Sequence, residues 1–211
     1  ALHLAISALD IGPGDEVIVP SITYVASLQA ISATGAKAII CDVVERDFLL
    51  DVVDAEKRIT SNTKAIMAVH YASNNENLSD VYLLAKKYSL RIIEDAAQAF
   101  GCDFSGKKVG ATGDITCFSF DGIKNITSGE GGAICSSDKV FIHRVKDARL
   151  LGVENDTENR FIGERSWHFD VKHQGYRYHM SNIMAAIGRV QLKRIDEFSV
   201  KRRELINRYL A

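Results

Sequence analysis

The chain has 211 residues, 46% hydrophobic and 25% charged, with a formal net charge of −1, an ordinary globular composition with enough chain for one substantial core. The near-neutral balance lacks the electrostatic footprint of a nucleic-acid or acidic-membrane binder, and there is neither a secretory pattern nor an apolar run able to span a bilayer, so a cytoplasmic, membrane-free protein is expected. Cys41, Cys102, Cys117 and Cys135 form no close pair and read as reduced core thiols rather than disulfides or metal ligands.

The chain opens directly on a helical pattern, Ala1-Leu2-His3-Leu4-Ala5, with no cap before it, and it ends inside or just after another helix. Both ends therefore read as cut from something longer. Short Val/Ile-rich runs at Glu16–Pro20, Lys37–Val43, Thr63–His70 and Arg91–Ala97 predict strands buried on both faces. Helical stretches lie between them at Tyr24–Thr34, Asp51–Ile59 and Leu78–Tyr88. This alternation predicts an α/β fold, a mostly parallel sheet flanked by helices. Strands at Ile115–Phe120 and Gly132–Ser136 follow, separated by a Gly/Ser-rich loop, and then a helix from about Lys139 to Leu150. Residues 152–174, with the lone Trp167, read as a long surface loop. Ser181-Asn182 offers a cap for one long helix with apolar positions from Ile183 through Ile187, Val190, Ile195, Phe198 and Leu205 to Tyr209.

Four segments could carry chemistry. In Glu94-Asp95-Ala96-Ala97-Gln98, two acids close an apolar strand, and in open α/β sheets ligands sit at the carboxyl ends of strands. An acid there can meet a cationic ligand group, and Gln98, one turn on, could face the same ligand; a solvated strand end is the plainer reading of the motif taken alone. In the loop from Ser119 to Gly132, Lys124 is flanked by hydroxyls and by glycines that let backbone approach a ligand. An amine so placed can attack a carbonyl, and Ser119 could contact a phosphate, although a lone lysine in a turn is usually an ordinary surface residue. The order Gly-x-x-x-x-Gly-Lys of a P-loop is missing. In Pro20-Ser21-Ile22-Thr23-Tyr24, a hydroxyl cap opens a helix with an early aromatic, which could stack on a flat cofactor. Gly175-Tyr176-Arg177-Tyr178-His179-Met180-Ser181 is polar and aromatic, just before the last helical pattern. His70, His143 and His179 are weak signals individually, and no His/Cys/Asp set has metal-ligand spacing.

Taken together, these segments resemble the DegT/DnrJ/EryC1/StrS family of pyridoxal-phosphate-dependent nucleotide-sugar aminotransferases. The matching text is GPGDEVIVPS at 12–21, EDAAQAFG at 94–101, GKKVGATGDITCFSF at 106–120, KNITSGEGG at 124–132 and GYRYHMSNIMAAIG at 175–188, in the family's order and spacing. The resemblance implies the aspartate-aminotransferase type (fold type I), with residues 1–211 forming the large pyridoxal 5'-phosphate domain. The family's Gly-Thr segment before Ala1 and its small C-terminal domain are expected to be missing. It also implies that Lys124 holds the cofactor as a Schiff base and shuttles protons, that Asp95 pairs with the pyridine nitrogen, and that Gln98 contacts the ring hydroxyl. Tyr24 would stack on the ring and Ser119 bind the phosphate. Many members carry Asn where this chain has Arg177, and Arg where it has His179; the Asn reaches the phosphate of the other subunit, and Arg177 could do so with a fork of donors. The implied reaction moves an amino group from L-glutamate to a keto sugar on a nucleotide, in a homodimer. The alternatives are a sugar dehydratase of the same family, in which histidine replaces the lysine, and a non-catalytic relative. A nucleotide-binding dehydrogenase fails for want of Gly-x-Gly-x-x-Gly after the first strand.

Overall fold

Strands form at all six expected places: β1 (Glu16–Pro20), β2 (Lys37–Cys41), β3 (Thr63–Val69), β4 (Arg91–Asp95), β7 (Ile115–Ser119) and β8 (Gly132–Cys135). They make one sheet in the order β2-β1-β3-β4-β7-β8, parallel except for β8. This computed structural model describes residues 1–155, 162–164 and 169–211. Within the expected loop 152–174, residues 156–161 and 165–168, Trp167 included, lie outside that description.

Side chains alternate across the sheet and meet helices on both faces. Val17, Val19, Ala65, Met67, Ile93, Ile115 and Cys117 share one core with α1 (Leu2–Ala8), α2 (Val25–Ser32) and α5 (Lys139–Ala148). Ile18, Ile66, Ala68 and Ile92 face the other way, onto α3 (Val52–Lys57) and α4 (Leu78–Tyr88). The two-faced arrangement follows from topology. The chain steps one way from β1 to β2 and the other way from β2 past β1 to β3, so right-handed crossovers put α2 on one face and α3 and α4 on the opposite one. Strand order reverses between β1 and β3, and ligand crevices of such sheets open at that switch point, beyond the strands' carboxyl ends.

Three sequence expectations change. The Lys37 strand is not buried on both faces: it is an edge strand, and Ile40 is 48% exposed. A small hairpin, β5 (Asp103–Phe104) with β6 (Lys107–Lys108), was not expected; Ser105 and Gly106 at its tip both have positive φ, as a tight hairpin turn requires. The single long C-terminal helix is two, α6 (Asn182–Leu192) and α7 (Ile195–Leu210). Ser181 caps α6 as expected, accepting from the Met184 N–H. The break has its own start signal. Asp196 and Glu197 occupy the first turn of α7, where the helix dipole favours acids, and Arg194 grips Glu197 through two nitrogens. The apolar spacing runs on across the junction and hides it.

Among the described residues, no helix is long and apolar enough to cross a membrane, and no group of His, Cys, Asp and Glu could hold a metal ion. All four cysteines are free, and burial pushes the thiols of Cys41 and Cys117 up to about 12.

Candidate active site

The register sets Val69, Asp95 and Cys117 abreast on three neighbouring strands. All three line a cleft of about 930 Å³ at the carboxyl ends of the sheet. Thr23 and Tyr24 after β1, Gln98 after β4, Ser119 at the end of β7 and Lys124 beyond it also line the cleft. Five of the six residues singled out from the sequence are thus brought together: Tyr24, Asp95, Gln98, Ser119 and Lys124. Arg177 is exposed and does not line the cleft of its own chain.

Asp95 lies on the face that looks towards α2, and it is only 7% exposed. Its Oδ2 accepts from Ser27 Oγ at 2.7 Å and its Oδ1 from the Ala97 N–H at 3.2 Å. Ser27 spends its one proton on this carboxylate, so the 2.7 Å contact between Thr23 and Ser27 has the Thr23 hydroxyl as donor. The expected hydroxyl cap of α2 is therefore absent: Tyr24 is the N-cap residue, with no side-chain cap bond, and Thr23 belongs to a hydroxyl chain that steadies Asp95. Tyr24 itself is 72% exposed at the cleft's lip. Thr23 stood out in the sequence only as part of a capping segment, and Ser27 did not stand out at all. Ser27 falls three residues after Tyr24, on the inner side of α2, and only the packing of α2 against the sheet and α1 brings it to Asp95.

Glu94 points to the opposite face of the sheet, is 1% exposed, and accepts from Tyr82 Oη at 2.7 Å. Its other oxygen meets His70 Nε2 at 3.0 Å. Burial first, and the Glu94 charge second, raise the Tyr82 phenol, which keeps its proton and donates it. The tandem acids thus have separate duties, one structural and one facing the cleft.

Gln98 is held by main chain. Its Oε1 accepts from the Ala72 N–H at 2.8 Å, and its own carbonyl accepts from Ser73 Oγ. Ala72 and Ser73 have φ of 50° and 68°, a left-handed backbone costing roughly 1 kcal/mol for each non-glycine residue. With Oε1 engaged, the Nε2 end of the amide has no partner among the described residues and is left to donate.

Ser119 ends β7, and its Oγ accepts from the Asp121 N–H at 3.4 Å. Asp121 organises the turn beyond: its Oδ1 accepts from the Ile123 N–H and its carbonyl from the Lys124 N–H, each at 3.1 Å. Lys124 is half-buried, and Nζ has no hydrogen-bond or ion-pair partner among the described residues. At the far end of this loop, Gly131 at φ 138° packs against Met180 so closely that a Cβ would strike the thioether methyl.

Tyr176 and Tyr178 stack at 5.1 Å beside α1, with the His3 ring 4.6 Å from Tyr176 and His3 Nδ1 3.2 Å from Tyr178 Oη. Burial holds the His3 imidazole below its ordinary range. Main-chain bonds zip this segment to the end of α5, with Leu150 opposite Arg177.

The model of the DegT/DnrJ/EryC1/StrS aminotransferase family matches residues 1–211. A GDP-perosamine synthase of Escherichia coli O157:H7 is 43% identical over 209 residues, covering 99% of this chain and 55% of that protein. A UDP-4-amino-4-deoxy-L-arabinose–oxoglutarate aminotransferase of Shewanella sediminis is 40% identical over 209 residues, covering 99% and 53%. A Streptococcus pneumoniae protein solved in its PLP-form superposes with a TM-score of 0.89 at 30% identity, covering 99% of this chain and 56% of that one. The chain spans about half the length of these relatives.

Proposed function

The chain belongs to the DegT/DnrJ/EryC1/StrS aminotransferase family, and on that premise we propose that its cleft holds pyridoxal 5'-phosphate and serves amino transfer from L-glutamate to a keto sugar on a nucleotide. The observation that carries the reading is the convergence of Asp95, Gln98, Ser119 and Lys124 on one cleft. The residues fit the group. A buried carboxylate with unused lone pairs suits a protonated ring nitrogen, a donor-only amide end suits a ring oxygen, and a hydroxyl at a strand end suits a phosphate. The volume is ample for a cofactor with part of a substrate. The names of the relatives, which include sugar-nucleotide enzymes, support the acceptor class.

When bound, the cofactor supplies an aldehyde carbon for amines and a ring that draws electrons from the bond being broken. The protein's residues then divide the work. Lys124 Nζ would hold the aldehyde carbon and, when free, would carry a proton to and from the substrate carbon. Asp95 keeps a proton on the ring nitrogen, and Ser27 and Thr23 keep Asp95 in place. Gln98 Nε2 donates to the ring oxygen, oriented by Ala72. Tyr24 covers the ring and Ser119 binds phosphate. Arg177 reaches the phosphate of a partner subunit; its exposure away from its own cleft supports that role, as do the exposed apolar residues Ile183 and Val190 of α6 for a covered surface. Lys124, where the family's dehydratases have histidine, favours transfer over dehydration.

The test is a half-reaction. L-Glutamate should convert the protein-bound cofactor to its amine form, seen as loss of visible absorption, and a nucleotide-linked keto sugar should restore it. Restoration by simple keto acids but by no nucleotide sugar would place the protein in another aminotransferase class.

A further inference from the structure

Asn125 follows Lys124 and has no role in the reaction just described, yet its side chain ties the lysine loop to main chain outside that loop. Its Nδ2 donates to the carbonyls of Gln98 at 2.8 Å and Phe100 at 3.1 Å. Both amide protons are thereby used, each on main chain of the turn that presents Gln98. Its own backbone carbonyl accepts from the Arg202 guanidinium of α7 at 2.7 Å. The Gln98 carbonyl is shared with Ser73 Oγ, so three segments, 71–73, 98–100 and 124–125, meet at one oxygen.

We propose that Asn125 is a positioning residue that fastens the Lys124 turn to the Gln98 turn and so sets where Lys124 Nζ sits relative to the Gln98 amide. The proposal rests on the reading of Lys124 as the cofactor-holding lysine. Its physical basis is that the hydrogen bonds made beside Lys124 by Asp121, Thr127 and Ser128 all close within the same glycine-rich loop. A lysine has four rotatable side-chain bonds, and attack on a carbonyl needs the nitrogen held near its target in the right direction. Two hydrogen bonds from the neighbouring residue to a turn outside the loop restrict that freedom. A fill-in of bulk could not do the same, because the acceptors are carbonyls and require hydrogen-bond donors. Arg202 extends the tie to α7, whose Ile195 already packs on Gly101 beside the same turn.

The discriminating variant is Asn125→Asp, which has the same shape but loses both donors and sets a carboxylate against two carbonyl oxygens. Two steps are measured separately after mixing cofactor-free protein with pyridoxal 5'-phosphate. Binding is followed by quenching of protein fluorescence. Capture, in which Nζ forms a C=N bond to the aldehyde carbon and one water leaves, is followed by quenching samples with borohydride and mapping the labelled peptide. Hydrogen exchange in residues 120–131 of the cofactor-free protein gives a readout independent of the cofactor. The expected result is binding within threefold of the parent, capture at Lys124 slowed tenfold or more, and faster exchange across the loop. Capture at the parent rate overturns the proposal, as does an equal loss of binding and capture. Should Asn125→Asp fail to fold, Asn125→Ala is measured in the same way, and if that too fails to fold, Asn125 is a structural residue and the proposal is wrong. Label on another lysine in the parent protein would instead sink the assignment of Lys124, a failure distinct from these.

Discussion

Asp95 is held at its strand end by two hydrogen bonds from its own chain, yet a carboxylate has room for more donors. That surplus is what a protonated ring nitrogen would use. Asp95→Asn preserves size and can still touch the ring, but it cannot hold a proton on the nitrogen. Transfer should therefore slow on the order of a hundredfold or more, at about 1.4 kcal/mol for each factor of ten, while cofactor affinity changes much less. Stopped-flow rates of the glutamate half-reaction, set beside equilibrium binding of pyridoxal 5'-phosphate, check this. Transfer at the parent rate would refute the role of Asp95. The neighbouring Glu94 shows why adjacent acids need not act together: alternate residues of a strand face opposite sides, and Glu94 is spent on Tyr82 and His70.

The segment 175–178 is placed by backbone bonds as well as by the contacts of its two tyrosines with His3. The Tyr176 N–H donates to the Ala148 carbonyl at 2.6 Å and the Tyr178 N–H to the Arg149 carbonyl at 2.9 Å, while the Leu151 N–H donates to the Tyr176 carbonyl at 3.0 Å. Gly175 lets the two segments touch, for a Cβ there would overlap the backbone of Leu151 and Gly152. No flexible side chain could yield instead, so Gly175→Ala must push the segment away. A loss of about 2–4 kcal/mol is expected, as for other overpacked buried sites. Chemical denaturation measures the loss, and a near-UV signal from the Tyr176–Tyr178 stack should fall with it. An unchanged midpoint would show that the segment is not held by this contact.

At the scale of the whole molecule, the last two helices expose apolar side chains: Ile183 is 76% exposed and Tyr209 90%. In the proposed dimer some of this is covered, and Arg177 completes the partner's site. Mixed dimers decide the matter. One subunit carries Lys124→Ala and the other Arg177→Ala. If Arg177 acts across the interface, one site collects both lesions and the other none, so about half of the parent activity remains. If it acts within its own chain, every site carries a lesion, and the mixed dimer should lose most of its activity.

Much of this was legible in the sequence because it is written in local periodicity. Runs such as Glu16–Pro20 and Arg91–Asp95 are short, apolar and β-branched, and a parallel strand covered on both faces needs little else. The candidates Asp95, Gln98, Ser119 and Lys124 could be marked in the sequence at strand ends and in a glycine-rich loop, but their proposed roles came from the family resemblance, since each motif alone also has a plainer reading. The break between α6 and α7 was hidden by an unbroken apolar spacing, and the edge position of β2 is a fact of strand order, which no window of sequence contains. Ser27 beneath Asp95, Ala72 on the Gln98 amide and Asn125 across the lysine loop lie 68, 26 and 27 positions from their partners. Sequence by itself determined most of the elements and marked the candidate groups, since these depend on neighbours a few residues apart. Only tertiary structure decided which group steadies which, because a hydrogen bond between distant segments exists only once the crossovers have packed both faces of the sheet.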